Sequence, residues 1–170
     1  MTTYPLLTLI ADDSDDDRIL FSRAVGSLSG FSVAGITIDG LETLMYLKGF
    51  GPYGNRSRYP FPDVLLLDYE MPGYNGLEVL GYLCKAPRRP KVILWSSAIE
   101  LIDRHAAREL GAEVVCSKPV MMEEIQSTLL AAIEDDRAVS MMNRAWTSQR
   151  DRGMGVTCAA NWLAPAATGI

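Results

Sequence analysis

Residues 64–76 read VLLLDYEMPGYNG, four apolar residues that stop at a carboxylate, Asp68. An apolar run this short, with Pro62 before it and Pro72 and Gly73 after it, predicts a strand buried on both faces and not a helix. Such strands belong to parallel sheets. In open parallel sheets the ligand crevice lies at the carboxyl ends of the strands, so an acid at that end is placed for chemistry.

Outward from this segment the apolar stretches alternate in type. PLLTLIA (5–11), FSVAGITI (31–38), DVLLLD (63–68), KVILWS (91–96) and EVVCS (113–117) read as strands. Between them, Ile19, Leu20, Ala24, Val25 and Leu28 recur at helical spacing, as do Leu77, Leu80 and Leu83, then Ile102, Ala106 and Leu110, and finally Met122, Ile125, Leu129 and Ala132. A shorter helix is expected over 41–47. Five strands alternating with five helices predict an α/β fold, a doubly wound five-stranded parallel sheet with helices on both faces. Ser14 followed by Asp17 has capping-box spacing, and Gly111 after Leu110 suits a left-handed helix end. The stretch GFGPYGNRSRYPFP (49–62) is a long loop, of a length that is often functional. One domain over 1–136 is expected, with 137–170 as a C-terminal extension: one more helix, then a flexible or docking tail.

Composition narrows the function. The 170 residues are 48% hydrophobic and 22% charged, as in a compact globular protein. A net charge of -5 without a long basic block argues against nucleic acid and anionic membranes as partners. Cys84, Cys116 and Cys158 are odd in number and lack metal-ligand spacing, which suits reduced thiols. The start, MTTYPLLTLIADD, has no basic n-region, and no segment approaches a membrane span, so a cytoplasmic location is expected.

The strand ends carry the chemistry. Asp12 and Asp13 follow the first strand, Asp68 ends the third, Ser96 and Ser97 the fourth, and Ser117, Lys118 and Pro119 the fifth. A parallel sheet gathers these ends on one side. Two carboxylates about 4 Å apart repel by roughly 4 kcal/mol at an effective dielectric near 20, so a cation is required. Lys118 supplies one charge, and an all-oxygen site suits Mg2+. With both present, one Asp can act as nucleophile while the cations and a hydroxyl neutralise phosphoryl oxygens, which is the chemistry of an aspartyl phosphate.

ADD (11–13), LLLDYEMPGYNG (65–76), VILWSSA (92–98) and SKP (117–119), in that order, resemble the receiver domains of bacterial two-component response regulators. The resemblance covers about residues 5–135. It implies a flavodoxin-like sheet of strand order 2-1-3-4-5 and a phosphoacceptor domain over 1–136, with Asp68 as the phosphoacceptor. Asp13, Asp68 and the Glu70 main-chain carbonyl would hold Mg2+, and Asp12 would assist through water. Ser96 and Lys118 would contact the phosphoryl group, and the Lys118–Pro119 peptide would be cis. The donor would be a phosphohistidine of a sensor histidine kinase, and output would be a change in protein contacts, since 137–170 is too short for a winged-helix DNA reader. Two positions depart from the pattern. Val115 stands where the family often carries an aromatic switch residue, and Asn75 where it commonly has Asp. Glu70 and Ser97 occupy positions that tune phosphoryl lifetime. The 49–62 loop is similar to that of single-domain receivers serving phytochrome-like kinases.

Other readings use the same residues. Asp15, Asp16 and Asp17 suit a helix first turn, where acids complement the dipole. His105, between Arg104 and Arg108, reads as a solvated helix face. Met121, Met122, Met141 and Met142 read as core or interface filler, while Trp146 and Trp162 point to self-association as a homodimer. A receiver fold used as an unphosphorylated docking module is one alternative. An aspartate-nucleophile phosphatase of the haloacid dehalogenase type is another, although its nucleophile sits on the first strand and the order here is reversed.

Overall fold

The computed structural model describes residues 4–133. Strands β1 (Leu6–Ala11), β2 (Phe31–Thr37), β3 (Val64–Asp68), β4 (Lys91–Ser96) and β5 (Ala112–Ser117) form one parallel sheet in the order β2-β1-β3-β4-β5. Helices α1 (Asp15–Ser27), α2 (Gly40–Lys48), α3 (Gly76–Leu83), α4 (Arg104–Glu109) and α5 (122–133) cover it. This is the flavodoxin-like doubly wound architecture. The expected extension over 137–170, with Met141, Met142, Trp146, Cys158 and Trp162, lies outside the described residues, as does its boundary at 136.

Alternation along β3 explains its apolar run. Leu65 and Leu67 join Leu9, Ala11, Val92 and Leu94 on one face, against Leu44 and Leu47 of α2, Val79 and Leu80 of α3 and Ala107 of α4. Leu66 joins Ile10, Ile93 and Trp95 on the other, against Phe21 and Val25 of α1 and Ile125 and Leu129 of α5. Each fully buried leucine contributes about 1.5–3 kcal/mol, so every residue of VLLL has a partner layer.

Two helix ends differ from expectation. Ser14 Oγ accepts from Asp17 N at 3.3 Å, a plain N-cap, whereas the reciprocal capping box is formed by Asn75 and Glu78 at the start of α3. Helix α4 is shorter than the apolar spacing suggests. A 3-10 turn, Ile99–Leu101, precedes it, and Asp103 caps it by accepting from His105 N and Ala106 N, each at 3.0 Å.

The 49–62 loop is built into the domain. Arg56 donates to Tyr46 O (2.8 Å) and Leu47 O (2.7 Å) in the last turn of α2 and to Tyr59 O (3.2 Å) within the loop, tying the loop to the end of that helix. Tyr46 is fully buried, and its hydroxyl lies 2.8 Å from Ala34 O and 3.2 Å from Pro60 O. Its ring packs against Tyr53 and Tyr59, with centroids 5.0 and 6.0 Å away. A Cβ at Gly35 would sit 2.5 Å from that ring, and here β2 slips register against β1, Thr8 facing Val33 but Leu9 facing Gly35. The length of the loop is therefore spent on buttressing α2 and the edge of the sheet.

Candidate functional site

Backbone hydrogen bonds carry the sheet to the level of the polar residues. Asp12 N donates to Thr37 O (3.1 Å), Tyr69 N to Trp95 O (2.7 Å) and Lys118 N to Ser96 O (2.8 Å). The Asp68 carboxylate emerges at the end of β3, in register with Trp95. After it the chain must turn sharply, and Gly76 permits this: a Cβ there would lie 2.7 Å from Asp68 O and 2.6 Å from Leu94 Cδ1.

The acids and the amine predicted from sequence meet in one pocket. Carboxylate oxygens of Asp12, Asp13 and Asp68 lie within 4.8 Å of one another; Asp12 and Asp68 are buried and Asp13 is exposed. Lys118 Nζ donates to Asp68 Oδ2 at 3.1 Å and forms ion pairs with Asp12 Oδ2 at 2.9 Å and Asp17 Oδ2 at 2.8 Å. Two further contacts fix Asp12. Its Oδ1 accepts from Ser14 N (2.9 Å), its main-chain oxygen from Arg18 Nη1 (2.8 Å), and Arg18 also pairs with Asp15.

Electrostatics follow from burial. Desolvation pushes the Asp68 carboxyl up from its ordinary 3.8 to about 6, with the Asp12 charge adding to it and the Lys118 charge opposing it. Burial likewise raises Asp12, against the pull of Lys118 and the Ser14 N–H. For Lys118, burial favours the neutral amine, but its bonds to Asp17 and Asp12 and the charge of Asp68 outweigh this and hold it above its usual range. Four carboxylates, three of them paired with one ammonium, leave an anionic excess of oxygen donors. That set fits a hard divalent cation such as Mg2+.

The remaining expected residues are placed as follows. Ser96 is fully buried at the end of β4; its Oγ accepts from Ala98 N at 3.0 Å and bonds neither Asp68 nor Lys118. Glu70 and Ser97 are exposed beside the strand ends. Val115 is buried among Leu94, Ile102 and Ala107, with no ring at that position. His105 is exposed and lies 3.3 Å from Glu109, as a solvated helix face should. One expectation is corrected. No peptide among the described residues is cis, so Lys118–Pro119 is trans. Trans is the lower-energy form of an X–Pro bond by about 0.5–1 kcal/mol, and in it the Lys118 amine already reaches Asp68.

Asp17 is the site residue that sequence reading missed. Its place in the first turn of α1 gave a sufficient reason for an acid. Its partner Lys118 is distant in the chain, and no local spacing marks the pair.

The model of the response regulator receiver domain matches residues 8–130. The chain is 34% identical over 119 residues to a protein-glutamate methylesterase/protein-glutamine glutaminase of Myxococcus xanthus, covering 69% of this chain and 31% of that protein. The chain spans about a third to just over half of the length of such curated relatives. Among solved structures it is similar to the bacteriophytochrome response regulator AtBRR, with 31% identity, a TM-score of 0.62 and coverage of 77% of this chain and 91% of that one. It is also similar to the Mn(2+)-bound form of the response regulator Rcp1, with 25% identity, a TM-score of 0.64 and coverage of 72% and 91%.

Proposed function

Because the chain belongs to the response regulator receiver family, we propose that Asp68 accepts a phosphoryl group from a phosphohistidine of a sensor histidine kinase, and that the modified domain then changes its protein partners. Asp68 Oδ attacks phosphorus as the N–P bond breaks, and the departing imidazole nitrogen keeps the electron pair and takes up a proton. Lys118, already 3.1 Å from Asp68 Oδ2, neutralises phosphoryl oxygen. The Ser96 hydroxyl donates to another after leaving its turn with Ala98. Asp13, Asp68 and the Glu70 main-chain carbonyl would hold Mg2+, with Asp12 acting through water. When bound, the metal offsets negative charge on the transferred group.

The observation that carries this reading is the convergence of Asp12, Asp13, Asp68 and Lys118, from three different strand ends, into one pocket. Likeness to a bacteriophytochrome response regulator and the resemblance of the 49–62 sequence to the loop of receivers serving phytochrome-like kinases favour such a kinase as donor. The described residues contain no DNA-binding output domain, and the reading takes a change in protein contacts as the output. The reading is tested by incubating the full chain with Mg2+ and acetyl phosphate and measuring intact mass. A phosphoryl adduct should form on the wild type and be absent in Asp68→Asn. An unmodified wild type, with the kinase as well as with acetyl phosphate, refutes it and leaves the docking-module alternative.

A further inference from the structure

Lys118 faces three carboxylate oxygens within 3.1 Å, those of Asp17, Asp12 and Asp68. An ammonium has three N–H groups and no more. A phosphoryl group on Asp68 therefore competes for the amine with oxygens already at ion-pair distance from it. Asp12 is held by Ser14 N and, through its carbonyl, by Arg18, so it cannot give way easily. Asp17 can, because its side chain is 29% exposed, against 0% for Asp12 and 5% for Asp68, and water can take over its solvation.

We infer that Asp17 is a positioning residue that competes with the phosphoryl group for Lys118, holding the unmodified site closed and setting how readily it is occupied. This rests on the phosphoacceptor reading of Asp68 and deepens it. In the resting site Asp17 has the shortest contact to the amine, at 2.8 Å. On occupation the Lys118–Asp17 pair opens, Asp17 turns to solvent, and the amine passes to the phosphoryl oxygen. Without the Asp17 charge the amine is available at the outset, and the incoming anion meets one less negative neighbour.

Asp16 supplies the control. It lies in the same turn of α1, carries the same charge and is exposed, but makes no ion pair with Lys118. Beryllofluoride, a non-transferable phosphoryl mimic, would be titrated calorimetrically into the full chain at saturating Mg2+. The chains compared are wild type, Asp17→Asn, Asp16→Asn and Asp17→Glu. Asp17→Asn should bind about three- to tenfold more tightly, the effect of releasing one partly exposed charge-assisted bond. Asp16→Asn should change affinity less than twofold, and Asp17→Glu should return most of the way to wild type. Equal gains in Asp17→Asn and Asp16→Asn would overturn the inference, since net charge alone would then explain both. Weaker binding by Asp17→Asn would overturn it as well. A wild type that takes up no beryllofluoride refutes the phosphoacceptor reading itself, which separates the two failures.

Discussion

Replacing Asp68 with Asn should make the metal-free protein more stable at neutral pH, although it removes a hydrogen bond to Lys118. The carboxyl is 5% exposed and titrates at about 6 in place of its ordinary 3.8, chiefly because of burial. A displacement of roughly two pH units corresponds to about 3 kcal/mol at 1.36 kcal/mol per unit. The folded state binds the Asp68 proton more tightly than the unfolded state does. The stability this group contributes is therefore full below pH 3.8 and is lost as pH rises through about 6. Asparagine mimics the protonated form at every pH, and Lys118 keeps Asp12 and Asp17 as partners in the variant, so no buried cation is orphaned. Urea denaturation with a chelator present should show Asp68→Asn ahead of wild type by up to about 3 kcal/mol at pH 7.5 and by only about 1 kcal/mol at pH 4.5. Adding Mg2+ at a hundredfold excess over its dissociation constant should return about 2.7 kcal/mol to the wild type and much less to the variant. An Asn variant that is less stable at both pH values, or whose advantage does not depend on pH, would refute the claim that Asp68 is held ionised at the expense of folding.

Lys118→Met leaves Asp12, Asp17 and Asp68 without their shared cation. Acetyl-phosphate-driven modification should fall at least about tenfold by intact mass, and stability at pH 7.5 should drop by about 2–4 kcal/mol in urea. Arg56→Ala removes three hydrogen bonds to main-chain carbonyls. It should lower stability by about 2–3 kcal/mol and open the 49–62 loop to limited proteolysis, while phosphoryl acceptance by the folded fraction stays near wild type.

The strands were legible because burial on both faces leaves uninterrupted apolar runs: β4 coincides with KVILWS (91–96), and β3 starts one residue inside DVLLLD (63–68) and ends with it. Asp12, Asp13, Asp68 and Lys118 were legible for a related reason, since a polar residue at the carboxyl end of a buried strand has nothing to pack against. Three features were hidden. The partner of Asp17 lies a hundred residues away in the chain and leaves no periodic trace near it. The capping box at Asn75 and Glu78 was passed over because Asn75 was weighed as a departure from a motif and not as a helix start. The 49–62 loop was legible as a loop but its packing was not, because Arg56 and Tyr46 spend their polar groups on main-chain carbonyls, which composition does not reveal.

Tyr46, Gly35 and Arg56 also constrain how this domain can be altered or can diverge. A side chain at position 35 meets the phenol ring, a smaller residue at 46 leaves both the ring cavity and two carbonyls unattended, and loss of the guanidinium unties the end of α2. The three positions share one packing arrangement, so a change at one is felt at the others. For anyone splicing in a reporter or choosing new chain ends, residues 49–62 are the wrong surface segment to cut, however much their spelling resembles a linker.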